Sequence, residues 1–170
     1  MDETIEQKKK EFLKEQYFLA AWSATVRRNK TWNQITEQEE RKEFRNNMKK
    51  KLESIIDSYN HYVTPEEHIK NILDLEAASI EYGEHCNIGA CQKLLNLLCK
   101  YYWCAGFIPE PPHLVIDRQI LSIFSINLSW TQMEDIEDYK NAINTIRSSD
   151  KTEGKSLVVW ELENWKSSLN

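Results

Sequence analysis

Two side chains of opposite charge are candidates for covalent chemistry. Lys93 is followed by two leucines in the most apolar segment of the chain, and Asp117 comes after a proline-rich loop. A lysine amine that apolar neighbours desolvate has a lowered pKa, and it can attack a sugar carbon or form a Schiff base. A carboxylate at the start of a helix stays ionised and can accept a proton or stabilise a developing positive charge. We therefore predict that Lys93 and Asp117 share one pocket.

The residues around this pair predict the elements that position it. Gly89 opens a helix with apolar side chains on several sides, as expected for a helix buried at the centre of a domain. A glycine next to a turn also lets a phosphate approach the backbone amides closely. The loop 108–113 contains three prolines and cannot continue the helix, because proline lacks the amide donor. Asp117 then caps a short helix over about residues 117–125.

This order of elements resembles the helix-hairpin-helix DNA glycosylases, the superfamily that includes endonuclease III and the archaeal glycosylases for oxidised guanine. The stretch NIGACQKLLNLLCKYYWCAGFIPEPPHLVIDRQI carries the resemblance. Gly89 and Lys93 match the first glycine and the catalytic lysine of the family's G-x-G-x-K hairpin. Residues 115–117 match the apolar segment that ends in the catalytic aspartate, whereas Cys91 stands where the family has its second hairpin glycine.

The resemblance implies a DNA N-glycosylase with AP lyase activity that acts on a damaged base flipped out of the duplex. Lys93 is then the amine that displaces the base and forms the Schiff base, and Asp117 is the carboxylate that activates it. DNA is the implied partner, and no cofactor is implied. Trp103 is expected to stack on the flipped base. Four residues are assigned to substrate binding: Gly89, Gln92, Trp103 and His113.

The same residues also fit a protein without catalytic activity. A lysine beside leucines commonly keeps its ammonium in water, and an aspartate after a proline loop commonly serves only as a helix cap. Under this alternative the chain is a helical binding module, an inhibitor or adaptor. It would contact a protein partner through exposed aromatic side chains such as Trp32, Trp130 and Trp165.

The composition favours a helical fold. The chain has 170 residues, 41% of them hydrophobic, with only four glycines and four prolines, which is unlike a turn-rich β protein. We predict one compact all-α domain over residues 1–170, with a helix-hairpin-helix-like turn and a central buried helix. No run of about 18 apolar residues occurs and the first residues are charged, so we expect a cytoplasmic protein without a membrane segment.

Helical periodicity and capping signals predict the other elements. The first helix covers about residues 4–28, with an apolar stripe facing the core that consists of Phe12, Leu13, Phe18, Leu19, Trp22 and Val26. A break at 29–33 separates it from a second helix over about 36–59, where Thr36 and Glu39 form a capping box.

The later helices carry clearer start signals. Thr64, Pro65 and Glu67 begin a third helix that Gly83 ends. Two further helices are predicted after the Asp117 helix, over about 131–148 and 156–167. Their signals are a capping box at Thr131 and Glu134, and anchoring side chains at Trp160, Leu162 and Trp165.

Charge and motif content narrow the class of protein. The net charge is −5, yet basic residues outnumber acidic ones within residues 1–60, so a polyanion would be met by a local patch. The sequence lacks the phosphate loop, the dinucleotide-binding glycine motif and the serine-hydrolase elbow.

The four cysteines do not have the spacing of a metal site. Zinc sites pair their ligands as C-x2-4-C in loops. Cys91, Cys99 and Cys104 fall inside the predicted central helix and Cys86 precedes it. We therefore expect buried reduced thiols and no metal.

Overall fold

Eight α-helices and no strand make up the part of the chain that the computed structural model describes, residues 3–166 without the side chains of residues 3, 30 and 31. The predicted all-α class is confirmed. In chain order the helices are α1 (Glu3–Ala24), α2 (Lys30–Gln34), α3 (Gln38–Asp57), α4 (Pro65–Glu81), α5 (Ile88–Cys104), α6 (Arg118–Ile123), α7 (Ile136–Arg147) and α8 (Leu157–Asn164).

Helix α5 is the central element of the fold, as its apolar sequence predicts. It packs against α1, α4 and α7. Most of its residues are buried, including the leucines at 94, 95 and 98. A helix that is apolar on several sides can bury its surface only when neighbours cover those sides, and here they do.

The predicted capping box places the start of α4 correctly. Thr64 Oγ1 accepts a hydrogen bond from the Glu67 amide at 3.2 Å, and Glu67 Oε2 accepts one from the Thr64 amide at 2.8 Å. This reciprocal capping box begins α4, and Gly83 follows its end with a φ of +98°. Asn87 caps α5 by accepting from the Ala90 amide at 3.0 Å.

The predicted core stripe of α1 is partly wrong. Phe18 and Trp22 are buried, but Phe12 and Leu19 are exposed, and Leu13 is also exposed. Apolar residues therefore extend around more of this helix than the side that meets the core. The helix also ends at Ala24, and a short 3-10 helix, Val26–Arg28, follows it.

The segment between α1 and α3 also differs from the prediction. Residues 30–34 form α2 where a break was expected. The Trp32 ring meets the edge of Trp22 with 5.6 Å between ring centroids, and this tertiary contact holds the short helix in place. The predicted capping box at Thr36 is wrong, because Glu37 is the N-cap of α3 and makes no side-chain capping hydrogen bond.

Helix α7 begins later than predicted. Thr131 lies in a 3-10 helix, Trp130–Gln132, and α7 begins after Asp135, which accepts from the Glu137 amide at 2.9 Å. Packing of residues 130–133 against α5 explains the shift, since Trp130 and Met133 are both buried there.

The prediction for α8 is correct for one of its three anchoring side chains. Trp160 is buried against the core. Leu162 and Trp165 are exposed, so neither anchors the helix. Ser156 caps this helix by accepting from the Val159 amide at 3.4 Å.

Three of the four cysteines are buried, as expected. All four thiols are free, and Cys104 differs because it lies exposed at the end of α5. Within residues 3–166, no group of three histidine, cysteine, aspartate or glutamate side chains is arranged to hold a metal ion. None of the helices in this part of the chain has both the length and the apolar character needed to cross a lipid bilayer.

Candidate functional site

Lys93 and Asp117 line the same cavity, which has a volume of about 370 Å³. Helices α5, α6 and α8 form most of its wall, and the end of α1, Val115 and residues 165–166 complete it. Apolar side chains cover much of the wall: Leu97, Ile120, Ile123 and Trp160. The cavity thus brings Lys93 and Asp117 together in a wall that is partly apolar and partly polar.

Lys93 is largely buried, and its ammonium lies over an aromatic ring. The residue is only 7% exposed, and Nζ lies 4.1 Å from the centroid of the Trp130 ring. Burial lowers the pKa of Lys93, Asp117 opposes this by favouring the charged amine, and Arg28 adds to the lowering. Among the described side chains, no carboxylate oxygen lies within 4.0 Å of Nζ. A larger share of Lys93 is therefore neutral near pH 7 than of an exposed lysine.

Asp117 is fixed at the first turn of α6. Its Oδ1 accepts a hydrogen bond from the Ile120 amide at 3.0 Å, which caps the helix as the sequence predicts. The three residues before it are buried, so the chain enters the helix from the core.

One buried side chain joins the two candidate catalytic residues. Gln92 Nε2 donates to the Ile116 carbonyl oxygen at 2.6 Å, and Gln92 Oε1 accepts from the Ile116 amide at 3.2 Å. Gln92 precedes Lys93 and Ile116 precedes Asp117. These two hydrogen bonds therefore fix α5 relative to the start of α6.

Sequence reasoning did not identify a second charged pair in the cavity. Lys100 Nζ donates to Glu161 Oε1 at 3.0 Å, and Glu161 Oε2 accepts from the Val115 amide at 3.4 Å. Burial raises the pKa of Glu161, and Lys100 opposes that effect. Two signals were present, because Lys100 follows Lys93 by two helical turns and Glu161 interrupts an apolar segment of α8.

Gly89 lies against the protein backbone. Its amide donates to the Met133 carbonyl oxygen at 2.9 Å. A Cβ atom at this position would lie 1.6 Å from the Trp130 carbonyl oxygen, so only glycine fits. Gly89 does not line the cavity, and its role in substrate binding stays a prediction.

The other three residues assigned to substrate binding also lie outside the cavity lining. Gln92 and His113 are buried, and Trp103 is half-buried on α5 against the core. His113 Nδ1 lies 2.8 Å from the Tyr139 hydroxyl, and Asn96 Nδ2 donates to both Tyr139 and Gln92 at 3.2 Å. The roles of Gln92, Trp103 and His113 toward a substrate stay predictions.

The buried polar network extends from Asn96 to a second histidine. His68 Nε2 lies 2.6 Å from Asn96 Oδ1, and His68 Nδ1 lies 2.6 Å from the Tyr59 hydroxyl. The rings of His68 and His113 are 5.1 Å apart between centroids. Burial lowers the pKa of His68 to about 4, and burial with the neighbouring His68 lowers that of His113 to about 2. Both imidazoles are neutral in the folded protein at neutral pH.

Comparison of the chain with protein-family models, with curated proteins and with solved structures finds no match. Its function is therefore inferred from the cavity. The feature that distinguishes this cavity chemically is a desolvated lysine amine that shares it with a carboxylate held at a helix start.

Proposed function

We propose that the chain is a DNA glycosylase with AP lyase activity, in which Lys93 is the nucleophile and Asp117 the assisting carboxylate. The observation that carries this proposal is the burial of the Lys93 amine in the cavity that Asp117 also lines. A lysine forms an imine with a sugar aldehyde only as the neutral amine, and burial lowers its pKa in that direction.

The proposed reaction begins with the neutral amine of Lys93. Its lone pair forms a bond to the C1′ carbon of the sugar, while the bond from C1′ to the damaged base breaks and the base leaves with the electron pair and takes up a proton. The sugar ring then opens to a protonated Schiff base. Loss of a C2′ proton and of the 3′ phosphate cleaves the strand, and water releases the amine from the imine.

Asp117 has two uses in this scheme. Positive charge develops on the sugar as the base leaves, and a fixed carboxylate in the cavity wall stabilises it. The carboxylate can also accept the proton that the amine loses on attack. The hydrogen bond from the Ile120 amide to Oδ1 holds the carboxylate in place and leaves it negatively charged in this scheme.

The ring of Trp130 contacts the amine of Lys93. The ring face lies under Nζ, and such a contact favours a cation. This interaction and Asp117 both limit how far burial lowers the pKa of Lys93. The amine is thus held in one place and remains able to exchange a proton.

In this proposal, phosphate is met by cationic side chains in the cavity and near it. Arg28 and Arg118 are exposed, Lys166 lines the cavity, and Arg28 acts electrostatically on Lys93. Lys100 is already paired with Glu161 and contributes little. Duplex affinity comes largely from phosphate neutralisation, so this local patch matters more than the net charge of −5.

Residues 89–93, which match the G-x-G-x-K motif, lie within α5, so in this proposal the hairpin corresponds to the turn 82–87 that precedes α5. Several backbone amides of this turn already donate hydrogen bonds within the protein. The Gly83 amide donates to the Ile80 carbonyl oxygen, and the Glu84 amide to the Ser79 carbonyl oxygen. The Cys86 amide donates to the Ser79 hydroxyl. In this proposal the phosphate contacts therefore come mainly from cationic side chains and not from turn amides.

Borohydride trapping tests the proposed chemistry. The wild-type protein should form a covalent adduct with a duplex that contains an abasic site or a damaged base. Lys93→Met, which keeps the packing on Trp130 but removes the amine, should form none. Lys151→Ala changes an exposed lysine remote from the cavity lining and should react like the wild type. Absence of any adduct with the wild-type protein, across abasic DNA and several lesions, would exclude catalysis.

A non-catalytic binding module is the second candidate function. Of its three expected aromatic contacts, Trp130 is buried and Trp32 is half-buried, whereas Trp165 is 63% exposed at the edge of the cavity. This exposure favours the module, since exposed tryptophans are common at protein interfaces. Under this alternative the Lys93→Met variant should still bind the protein partner, whereas the Trp165→Ala variant should not. DNA binding measured over a salt series separates the two functions, because a phosphate-binding protein loses affinity steeply as salt rises.

A further inference from the structure

We propose that the outer face of α1 pairs with α1 of a second copy of this chain in an antiparallel dimer. Three large apolar side chains form this outer seam: Ile5, Phe12 and Leu19. They are 47%, 62% and 39% exposed. Among the described exposed apolar residues they form the longest regular row on one helix.

The seven-residue spacing of the outer seam puts its members on one side of the helix. Seven residues are about two turns, with a drift of only about 20° per repeat. Phe18 and Trp22 are buried against the core, and they lie on an adjacent side of the helix, about 120° and 80° around it from Phe12. Helix α1 therefore has one apolar surface that the fold buries and a second one that stays exposed.

The charged residues beside the outer seam fit α1 of a second copy in the antiparallel orientation. Lys8 lies one turn before Phe12 and Glu15 lies one turn after it, on the same flank. An antiparallel pair centred on Phe12 brings Lys8 next to Glu15 of the second copy, and the two-fold symmetry repeats the contact. A parallel pair would bring Lys8 next to Lys8 and Glu15 next to Glu15. Charge pairs of this kind select orientation more than they add affinity.

The neighbouring helix supports this arrangement. Glu15 already pairs with Lys49 of α3, and Lys49 also lies 3.8 Å from Glu53. Lys8 of the second copy would complete a group in which positive and negative charges alternate. At the ends of the seam, Ile5 would face Leu19 of the second copy.

The interface should be weak. One helix from each copy forms an interface at the small end of the specific range. We therefore expect a reversible equilibrium between monomer and dimer and not a permanent assembly.

Sedimentation velocity over a concentration series of the full chain tests the proposal. The wild-type protein should shift toward the dimer as concentration rises, and Phe12→Glu should stay monomeric. Ile80→Glu is the matched control, because Ile80 is 58% exposed on α4 and lies off the seam. A wild-type protein that is monomeric throughout, or a dimer that Phe12→Glu leaves unchanged, would overturn the proposal.

Disulfide crosslinking tests the orientation independently. In a Cys104→Ser background, which removes the exposed thiol, Ile5→Cys mixed with Leu19→Cys should crosslink under mild oxidation. Ile5→Cys alone should not. The reverse pattern would mean a parallel pair and would contradict the proposal. Failure of both these tests leaves the reaction proposed for Lys93 untouched, since the outer seam shares no residue with the cavity lining.

Discussion

Gln92 and Ile116 exchange two hydrogen bonds, in which the Gln92 side-chain amide both donates to and accepts from the backbone of Ile116. The residues that follow them, Lys93 and Asp117, line the cavity. The spacing of the candidate nucleophile and carboxylate therefore depends on Gln92, which is fully buried and lies outside the cavity lining.

Gln92→Leu tests this dependence. The variant leaves the buried amide and carbonyl of Ile116 without partners, and we expect a loss of about 2 kcal/mol in the free energy of unfolding. It should also slow adduct formation by Lys93 strongly under conditions where the protein is still folded. Urea unfolding and the trapping rate measure the two effects.

The matched control for Gln92→Leu is Tyr139→Phe. It removes a hydroxyl from the same buried network but leaves both bonds to Ile116 in place. A general loss of stability would affect both variants alike. If Gln92→Leu unfolds more easily than the wild type but traps DNA at the same rate, the spacing does not depend on Gln92.

Among substitutions of the described glycines by alanine, Gly89→Ala should reduce the free energy of unfolding most. The new Cβ would meet the backbone of Trp130, which cannot rotate away as a side chain can. We expect a loss of about 3 kcal/mol, the upper end for an overpacked core. Gly106→Ala is the control, because its site is open and its φ of +74° costs an alanine about 1 kcal/mol. Thermal unfolding of both variants gives the comparison, and equal losses would contradict the close contact.

Burial of Lys93 should make the folded protein relatively more stable as pH rises. The pKa of this amine is lower in the folded than in the unfolded chain, so the unfolded chain binds more protons between the two values and folding stability increases with pH there. Lys93→Met lacks this contribution. The difference in unfolding free energy, wild type minus variant, should therefore increase from pH 7 to pH 10, and a flat difference would show that the amine is not desolvated.

The sequence was sufficient for elements with strong local signals. The start of α4 follows from Thr64 and Glu67, and the start of α6 follows from Asp117, because capping hydrogen bonds join residues three apart in the chain. The joint placement of Lys93 and Asp117 in one cavity was also predictable, since the proline loop returns the chain to the central helix.

Features that depend on contacts between distant residues were not predictable. The sequence of α1 contains apolar residues on two faces, and periodicity alone does not say which face meets the core. The burial of Trp130 beneath Lys93 depends on how residues 130–133 meet α5, and it displaced the predicted start of α7. Glu161 reaches the cavity only because α8 packs beside α5.

The buried histidines should make the fold sensitive to acid. His68 has a pKa of about 4 in the folded protein against 6.5 for an ordinary histidine, so the unfolded chain binds the extra proton between those values. Stability is therefore complete above pH 6.5 and falls as pH drops toward 4, by about 3 kcal/mol for this residue. His113 lies 5.1 Å away between ring centroids and remains neutral to lower pH, so it extends the loss of stability.

Unfolding free energies measured from pH 7.5 to pH 4 test this dependence on His68. The unfolding free energy of His68→Gln should fall less steeply with decreasing pH than that of the wild type. His61→Gln changes an exposed histidine and should retain the wild-type slope; identical slopes for all three proteins would mean that His68 is not held neutral by the fold.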